Sequence, residues 1–487
     1  MCKSIPNVVT KSIVLFLMLD ILTGCSLNKA SAVTSENKPK VEKPSKITAM
    51  FDIIVKTEDG QEKLVEEYKK QTGIDLVITQ PPHNQYTEKV KLAFSSNAVP
   101  DIVEVGNSDY VTLSAQGAFT PLDNYISDSV QISKMDSSYI DAVRLKDGKT
   151  YGVPLSKGGG TVTYIRKDWL DNLGMKLPTT WDELYEVMKA FTTKDPDKDG
   201  SNNTFGYTAA GLWPGSEAYL RDFLQQATFD FTIKNGKWVD GFTQPEIKDA
   251  LMRLKIAYND KVLDPEFFTN QTSNMREKFF NGNAGIFNYW SGAWAATIDG
   301  TTRQSCGNKA EVVAIPSIKE SYYNNRISPI HAITSSAKNP EGIFKWFIEY
   351  IHDGAKGQML FTHGVEGLHY TIENNKYKVM PFKEGSSINF DTAYINAELN
   401  LTPWKDPIEQ DSRVTKSITI NMENVVQLKL LPQSNTYSKH ASELTKLKEE
   451  VISRIMTGDL SFDAGLDYYT SKATALEINK ILYEFNN

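Results

Sequence analysis

The chain has 487 residues, 23% of them charged and 40% hydrophobic, with a formal net charge of −7. Its length exceeds what one hydrophobic core ordinarily serves, so two substantial domains are expected, and the negative balance argues against nucleic acid as a partner. Its three cysteines, Cys2, Cys25 and Cys306, leave no room for a disulfide framework.

Lys3 and Lys11 precede an apolar run from Ile13 to Leu22 that is interrupted by Asp20. The run is shorter than the ~20 residues of a transmembrane helix but fits the core of a signal peptide. Leu22-Thr23-Gly24-Cys25 resembles the lipobox of bacterial lipoproteins. That resemblance implies cleavage of residues 1–24, acylation of Cys25 (palmitate among the acyl chains), and a place on the outer face of the cell membrane of a Gram-positive bacterium. The competing reading makes Cys25 an ordinary buried cysteine. Loss of the signal, which carries a net +1, takes the mature chain from −7 to −8. Residues 25–45, rich in Lys, Ser, Asn and Pro, form a disordered tether, since so few apolar side chains cannot offset the entropy of folding.

From Ile47 the pattern changes. Ile47–Val55 reads as a strand, and Leu64, Val65 and Tyr68 share a face of a helix ending near Thr72-Gly73. Ile74–Thr79 is a second strand; Tyr86, Val90 and Phe94 mark another helix, and Asp101–Val105 a buried strand. Strand-helix alternation predicts an α/β fold with a parallel sheet whose ligand lies beyond the carboxyl ends of the strands, where Gly106-Asn107-Ser108-Asp109 sits. Gly158-Gly159-Gly160 lacks the Gly-Lys-Ser/Thr of a phosphate loop and reads as a hinge strand. Thr180 and Glu183 have capping-box spacing ahead of a core stripe of Leu184, Val187, Met188 and Phe191. Asn339-Pro340 starts a helix carrying Ile343, Phe344, Phe347, Ile348 and Ile351.

Several strings taken together resemble the extracellular solute-binding proteins of bacterial ABC importers, with the carbohydrate-binding branch the best match. They are Thr72-Gly73-Ile74, Val99-Pro100-Asp101-Ile102-Val103, Tyr151-Gly152-Val153-Pro154, Tyr164-Ile165-Arg166-Lys167-Asp168-Trp169-Leu170, Pro178-Thr179-Thr180-Trp181-Asp182-Glu183-Leu184, Phe279–Trp290 and Gly364-Val365-Glu366-Gly367. The resemblance implies a two-lobed periplasmic-binding-protein-like fold with a hinge and an interlobe ligand cleft. Residues 46–157 with about 330–382 would form the N-terminal lobe, and 165–325 with about 388–487 the C-terminal lobe. A second crossing is expected near Tyr323–Pro329 and a third around Pro381–Ser387. It further implies a monomeric sugar-transport receptor that delivers an oligosaccharide to ABC permease subunits and has no organic cofactor.

Asp195-Pro196-Asp197-Lys198-Asp199-Gly200-Ser201-Asn202-Asn203 carries the first half of an EF-hand calcium loop: carboxylates at Asp195, Asp197 and Asp199, a carbonyl at Ser201, and Asn203 as a further ligand. The bidentate glutamate position falls on Gly206. Members of the oligosaccharide-binding branch carry a similar truncated loop, which implies structural calcium; the plain alternative is a solvated acidic turn.

For the ligand, sugar rings present C–H faces that stack on indole. Trp290, Trp213, Trp294 and Trp404 lie in Gly- or Pro-interrupted segments, and a tryptophan near Trp290 lines the cleft in similar proteins. Asn107, Asp109, Glu366, Lys157 and His331 are polar candidates, and Arg166, Lys167 and Asp168 read as scaffold. An arginine cluster for acidic sugars is not evident in the expected cleft segments. Two other roles compete: a lipid-anchored glycoside hydrolase, which needs paired carboxylates across a cleft, and a receptor presenting sugar to a sensor kinase. The chain has no His-Glu-x-x-His zinc motif and no Gly-x-Ser-x-Gly elbow. The reading is a binding protein, not an enzyme.

Overall fold

The computed structural model describes residues 41–487 apart from 97, 212–215, 375, 385–388 and 394–400. The signal segment, Cys25 and Trp213 therefore lie outside the described residues. Among those described, no helix is long and apolar enough to cross a membrane.

Strands β1 (Lys46–Met50), β2 (Asp75–Thr79), β3 (Ile102–Val105) and β4 (Gly152–Pro154) open the first lobe. The second lobe begins with β5 (Thr161–Arg166) and β6 (Phe205–Tyr207), continues through a hairpin of β7 (Phe231–Lys234) and β8 (Lys237–Asp240), and adds β9 (Ala284–Trp290) and β10 (Val312–Ile315). After β11 (Tyr323–Asn325) the chain returns to the first lobe as β12 (Ile330–Ile333), then forms a hairpin of β13 (Tyr370–Glu373) and β14 (Lys376–Val379). Strand β15 (Val425–Gln427) precedes three helices, Asn435–Thr457, Phe462–Ala475 and Ile478–Asn486, which pack on the second lobe.

The first sheet has the order β2-β1-β3-β12-β4 and the second β10-β5-β9-β6. β1 is parallel to β2 and β3, as strand-helix alternation predicts. β12, however, is antiparallel to both β3 and β4, so the sheet is mixed. The reason is topological: β12 arrives from the other lobe and is free of the crossover that keeps consecutive βαβ strands parallel.

Local signals hold where short-range physics dominates. The helix Gln61–Thr72 buries Leu64 and Tyr68 and stops at Gly73, whose left-handed φ of 74° lets its amide reach the Lys69 carbonyl at 2.6 Å. The helix Trp181–Thr193 buries Leu184, Val187, Met188 and Phe191. Only half of its capping box forms. Thr180 Oγ1 accepts from the Glu183 amide at 3.2 Å, whereas Glu183 accepts from the amide and hydroxyl of Thr179, at 2.8 and 2.7 Å, one residue further back than the motif requires.

Three segments meet between the lobes with almost no side chain separating them. Gly158, at φ 95°, faces the Arg326 carbonyl so closely that a Cβ there would lie 1.9 Å from it; a Cβ on Gly160 would lie 1.7 Å from the Asn324 carbonyl. Asn325 ties the three together: its Oδ1 accepts from the Gly159 amide at 2.6 Å, and its Nδ2 donates to Gln427 Oε1 at 2.9 Å. β11 and β15 run parallel here, Tyr323 opposite Val425 and Asn325 opposite Gln427. The strand beside Tyr323–Asn325 is thus Val425–Gln427, while Phe382, inside the stretch where a third crossing is expected, and Phe390 and Leu401 beyond it still pack in the first-lobe core.

Gly160→Ala should destabilise the fold by at least ~2 kcal/mol, as overpacking does when backbone must move. Denaturant unfolding checks this; a variant as stable as the parent would show that the crossing segments separate freely.

Candidate functional site

The site grows from the carboxyl end of β9. That strand is longer than its sequence suggests: Ala284–Phe287 reads as the strand, yet pairing with β5 continues to Trp290 opposite Thr161. The Ser291 amide donates to the Gly160 carbonyl at 2.9 Å, fixing the end of β9 against the crossing segment. Tyr164 donates its hydroxyl to the Trp290 carbonyl at 2.8 Å. Gly292, at φ 74°, then turns the chain into the helix Ala293–Cys306, which presents Trp294.

An aromatic cluster results. Tyr219 stacks on Tyr289 at 6.0 Å and meets Trp290 edge-on at 6.4 Å, and Tyr289 meets Trp294 edge-on at 4.8 Å. Tyr219 and Tyr289 are buried, whereas Trp290 and Trp294 keep part of their faces open. Two arginines complete the surface. Arg326, from the crossing segment, places its guanidinium 4.1 Å from the Trp290 ring centre. Arg276, on the helix Thr272–Phe280, lies 5.2 Å from both Tyr289 and Trp294 and donates to the Tyr289 hydroxyl. Burial pushes the Tyr219 hydroxyl up to about 12 against the opposing pull of the two cations. Water reaches Arg326, but protein walls it closely enough that desolvation lowers its pKa; an accessible side chain in a low-dielectric surround is what a cleft provides.

On the first lobe, Glu104 is 1% exposed, and its Oε2 accepts the amides of Asp52 and Ile53, each at 3.1 Å. Burial raises its pKa to about 7, only partly offset by those amides. Its charge reaches Arg326. Glu104 is a candidate that sequence reasoning missed, although a lone carboxylate within Ile102-Val103-Glu104-Val105, a strand buried along its length, is itself a signal.

The candidate residues separate into groups. Trp290 and Trp294 belong to the cluster. At the end of β3, Asn107 has a buried Oδ1 with no partner among the described residues, while Asp109 pairs with Lys91 at 3.1 Å. Lys157 lies half-buried in the crossing segment; the amide and hydroxyl of Ser138 lower the Asp136 pKa, and Lys157 adds a smaller pull in the same direction. Glu366 and Trp404 line a different groove, with Lys70, Lys356, Tyr370 and Tyr377. Trp404 leans on His363, which burial would discharge, but which Asp391 and Asp406, at 2.8 and 2.9 Å, hold charged with a pKa of about 9. His331 packs on Phe51 and Phe347 in the first-lobe core, where burial lowers its pKa to about 3. That makes it structural, not a ligand contact. Arg166 pairs with Asp168 at 2.7 Å, also as scaffold, although it is buried against Trp169 and not at the surface.

The acidic loop converges as its spacing predicts: Asp195, Asp197 and Asp199 bring carboxylate oxygens within 4.8 Å of one another. Backbone amides of Asp199 and Gly200 hold the Asp195 carboxylate, each at 3.1 Å. Asp197 Oδ1 is buried without a partner among the described residues, and burial, then Asp195 and Asp199, raise the Asp197 pKa. An orphaned carboxylate oxygen among like charges fits a divalent cation. The Asn203 amide Nδ2 donates to Asp199 at 3.1 Å.

The family model described as "Bacterial extracellular solute-binding protein" matches residues 56–353. The chain belongs to that family. This solute-binding protein is 27% identical over 489 residues, 94% of its own length and 95% of the relative's, to the polygalacturonan/rhamnogalacturonan-binding protein YtcQ of Bacillus subtilis. It is 24% identical to the lipoprotein LipO of the same organism, over 73% of this chain and 72% of the relative. The alginate-binding protein AlgQ2, solved without calcium ion, shares the fold with a TM-score of 0.66 at 20% identity, over 91% of this chain and 98% of the other. These relatives are named as binding proteins or a lipoprotein, not as enzymes.

Glu104→Gln should melt with the parent at pH 4.5 and above it at pH 8. Between those values the unfolded chain releases a proton that folded Glu104 retains until about pH 7, so the parent forfeits ~3 kcal/mol as pH rises. An equal shift at both pH values in thermal melts would show that Glu104 is not the group responsible.

Proposed function

We propose that this protein is the oligosaccharide receptor of a bacterial ABC importer, capturing ligand between its lobes and delivering it, lobes closed, to membrane permease subunits. The observation that carries this reading is the open aromatic surface of Trp290 and Trp294 at the carboxyl end of β9, where the lobes join. Ring faces there stack on the C–H faces of sugars, and the surrounding amides, hydroxyls and guanidiniums supply partners for sugar hydroxyls. Ligand that touches both lobes favours the closed state by its differential affinity for it. YtcQ, named a polygalacturonan/rhamnogalacturonan-binding protein, supports an oligosaccharide as ligand.

Acylated Cys25 anchors the receptor, a monomer, at the extracellular membrane face, and LipO supports that placement. A tether of about 20 residues, with a reach of ~5–6 Å times the square root of its length, keeps it near its permease. Calcium bound by Asp195, Asp197 and Asp199, with Ser201 and Asn203 completing the shell, braces the loop after the helix Trp181–Thr193; the orphaned Asp197 oxygen supports it.

Trp290→Ala should weaken the best oligosaccharide of a calorimetric panel by ~1–2 kcal/mol, the usual loss for one stacking aromatic; unchanged affinity would remove Trp290 from the site. Chelation of divalent ions should lower the melting temperature and added calcium restore it, as expected when a ligand binds only the native state. A melting curve indifferent to chelator would leave the loop a solvated turn.

A further inference from the structure

The chain has nine arginines. Seven of them donate to a carboxylate or a backbone carbonyl, as Arg166 does to Asp168 and the buried Arg221 to the Ala227 carbonyl. The two exceptions are Arg276 and Arg326. Among the described residues, Arg276 donates only to a neutral phenol, that of Tyr289, and Arg326 rests on the Trp290 ring with no hydrogen-bonded acceptor. Both act on the same two hydroxyls, Tyr219 and Tyr289, so their fields overlap at one place.

Two like charges on one aromatic surface repel, and a protein of net charge −7 has no shortage of carboxylates with which to neutralise them. The carboxyl group whose charge is felt at Arg326 is that of Glu104, and its Oε2 accepts the Asp52 and Ile53 amides. A guanidinium over a ring keeps its N–H groups for other partners, and its planar fork matches the two oxygens of a carboxylate.

We infer that Arg276 and Arg326 form an anion-recognition pair, so that the ligand is an oligosaccharide bearing carboxylates, an oligouronate, and not a neutral sugar. The inference rests on the oligosaccharide reading and narrows it. Ring faces of Trp290 and Trp294 bind the sugar whatever its charge; the two guanidiniums supply the choice between acidic and neutral sugars.

The test uses the full mature chain and calorimetry with trigalacturonate and trimannuronate, their fully methyl-esterified forms, and neutral trisaccharides of matched size. At least one oligouronate should bind at least tenfold more tightly than its own ester, with an advantage that shrinks as salt is raised. Arg326→Gln and Arg276→Gln, checked for parental melting temperature, should each weaken the acid much more than its ester and so erase most of that advantage. An ester or neutral sugar that binds as well as the acid would overturn the inference and leave the oligosaccharide receptor standing. Failure of every sugar, charged or not, to bind would sink that underlying reading as well. A preference for the acid that survives both substitutions would overturn the assignment to these two arginines. The acid-against-ester comparison is made on the parent protein and does not depend on either variant folding.

Discussion

The Asn324 carbonyl occupies the space where any side chain on Gly160 would begin, 1.7 Å from an ideal Cβ. This backbone-to-backbone approach of the crossing segments sets the rest of the molecule. It places the end of β5 beside the end of β9, so Ser291 bonds to Gly160 and Trp290 emerges at the junction of the lobes. It also brings Arg326, two residues past Asn324, over the Trp290 ring. Asn325 holds all three segments with side-chain hydrogen bonds and little apolar burial of its own. Each lobe, in contrast, has its own hydrophobic clusters. A stiff body on either side of a thin, glycine-lined connection is the arrangement in which a few dihedrals absorb a closure.

Electrostatics at that junction runs against the charge of the chain as a whole. A net-negative protein keeps two guanidiniums on an aromatic surface and draws its own carboxylates elsewhere: Asp168 to Arg166, Asp299 to Arg303 and Arg413, Asp391 and Asp406 to His363. Glu104 is the exception, buried and held near neutrality. Local potential, not net charge, is what an arriving ligand meets within a Debye length of the site.

Much of this was readable before folding. The helices Gln61–Thr72 and Trp181–Thr193 follow from 3.6-residue periodicity and from Gly73 and Thr180 at their ends, since those signals act within a turn or two. Gly158-Gly159-Gly160 read as a hinge strand, and the structure places it in the connection between the lobes. Trp290 and Trp294 were legible as aromatic residues beside a glycine turn, and the acidic loop as alternating carboxylates. Other features were hidden because they depend on contacts between residues far apart. Arg276 and Tyr289 meet across a helix and a strand, and Arg326 reaches Trp290 from a different crossing of the hinge. The antiparallel entry of β12 likewise depends on which lobe the chain has just left. Glu366 and Trp404, grouped with Trp290 by residue type, lie on another groove because chemistry in sequence carries no address in space.

The sequence by itself determined an α/β chain of two lobes, the glycines between them, the tryptophans beside a glycine turn and the three carboxylates of the acidic loop, because each rests on neighbours close along the chain. Tertiary structure alone decided which aromatics face one another, which histidine is core, and that two arginines 50 residues apart share one surface with no carboxylate between them among the described residues. Those are properties of distance and burial, and both are set only when segments remote in sequence are packed together.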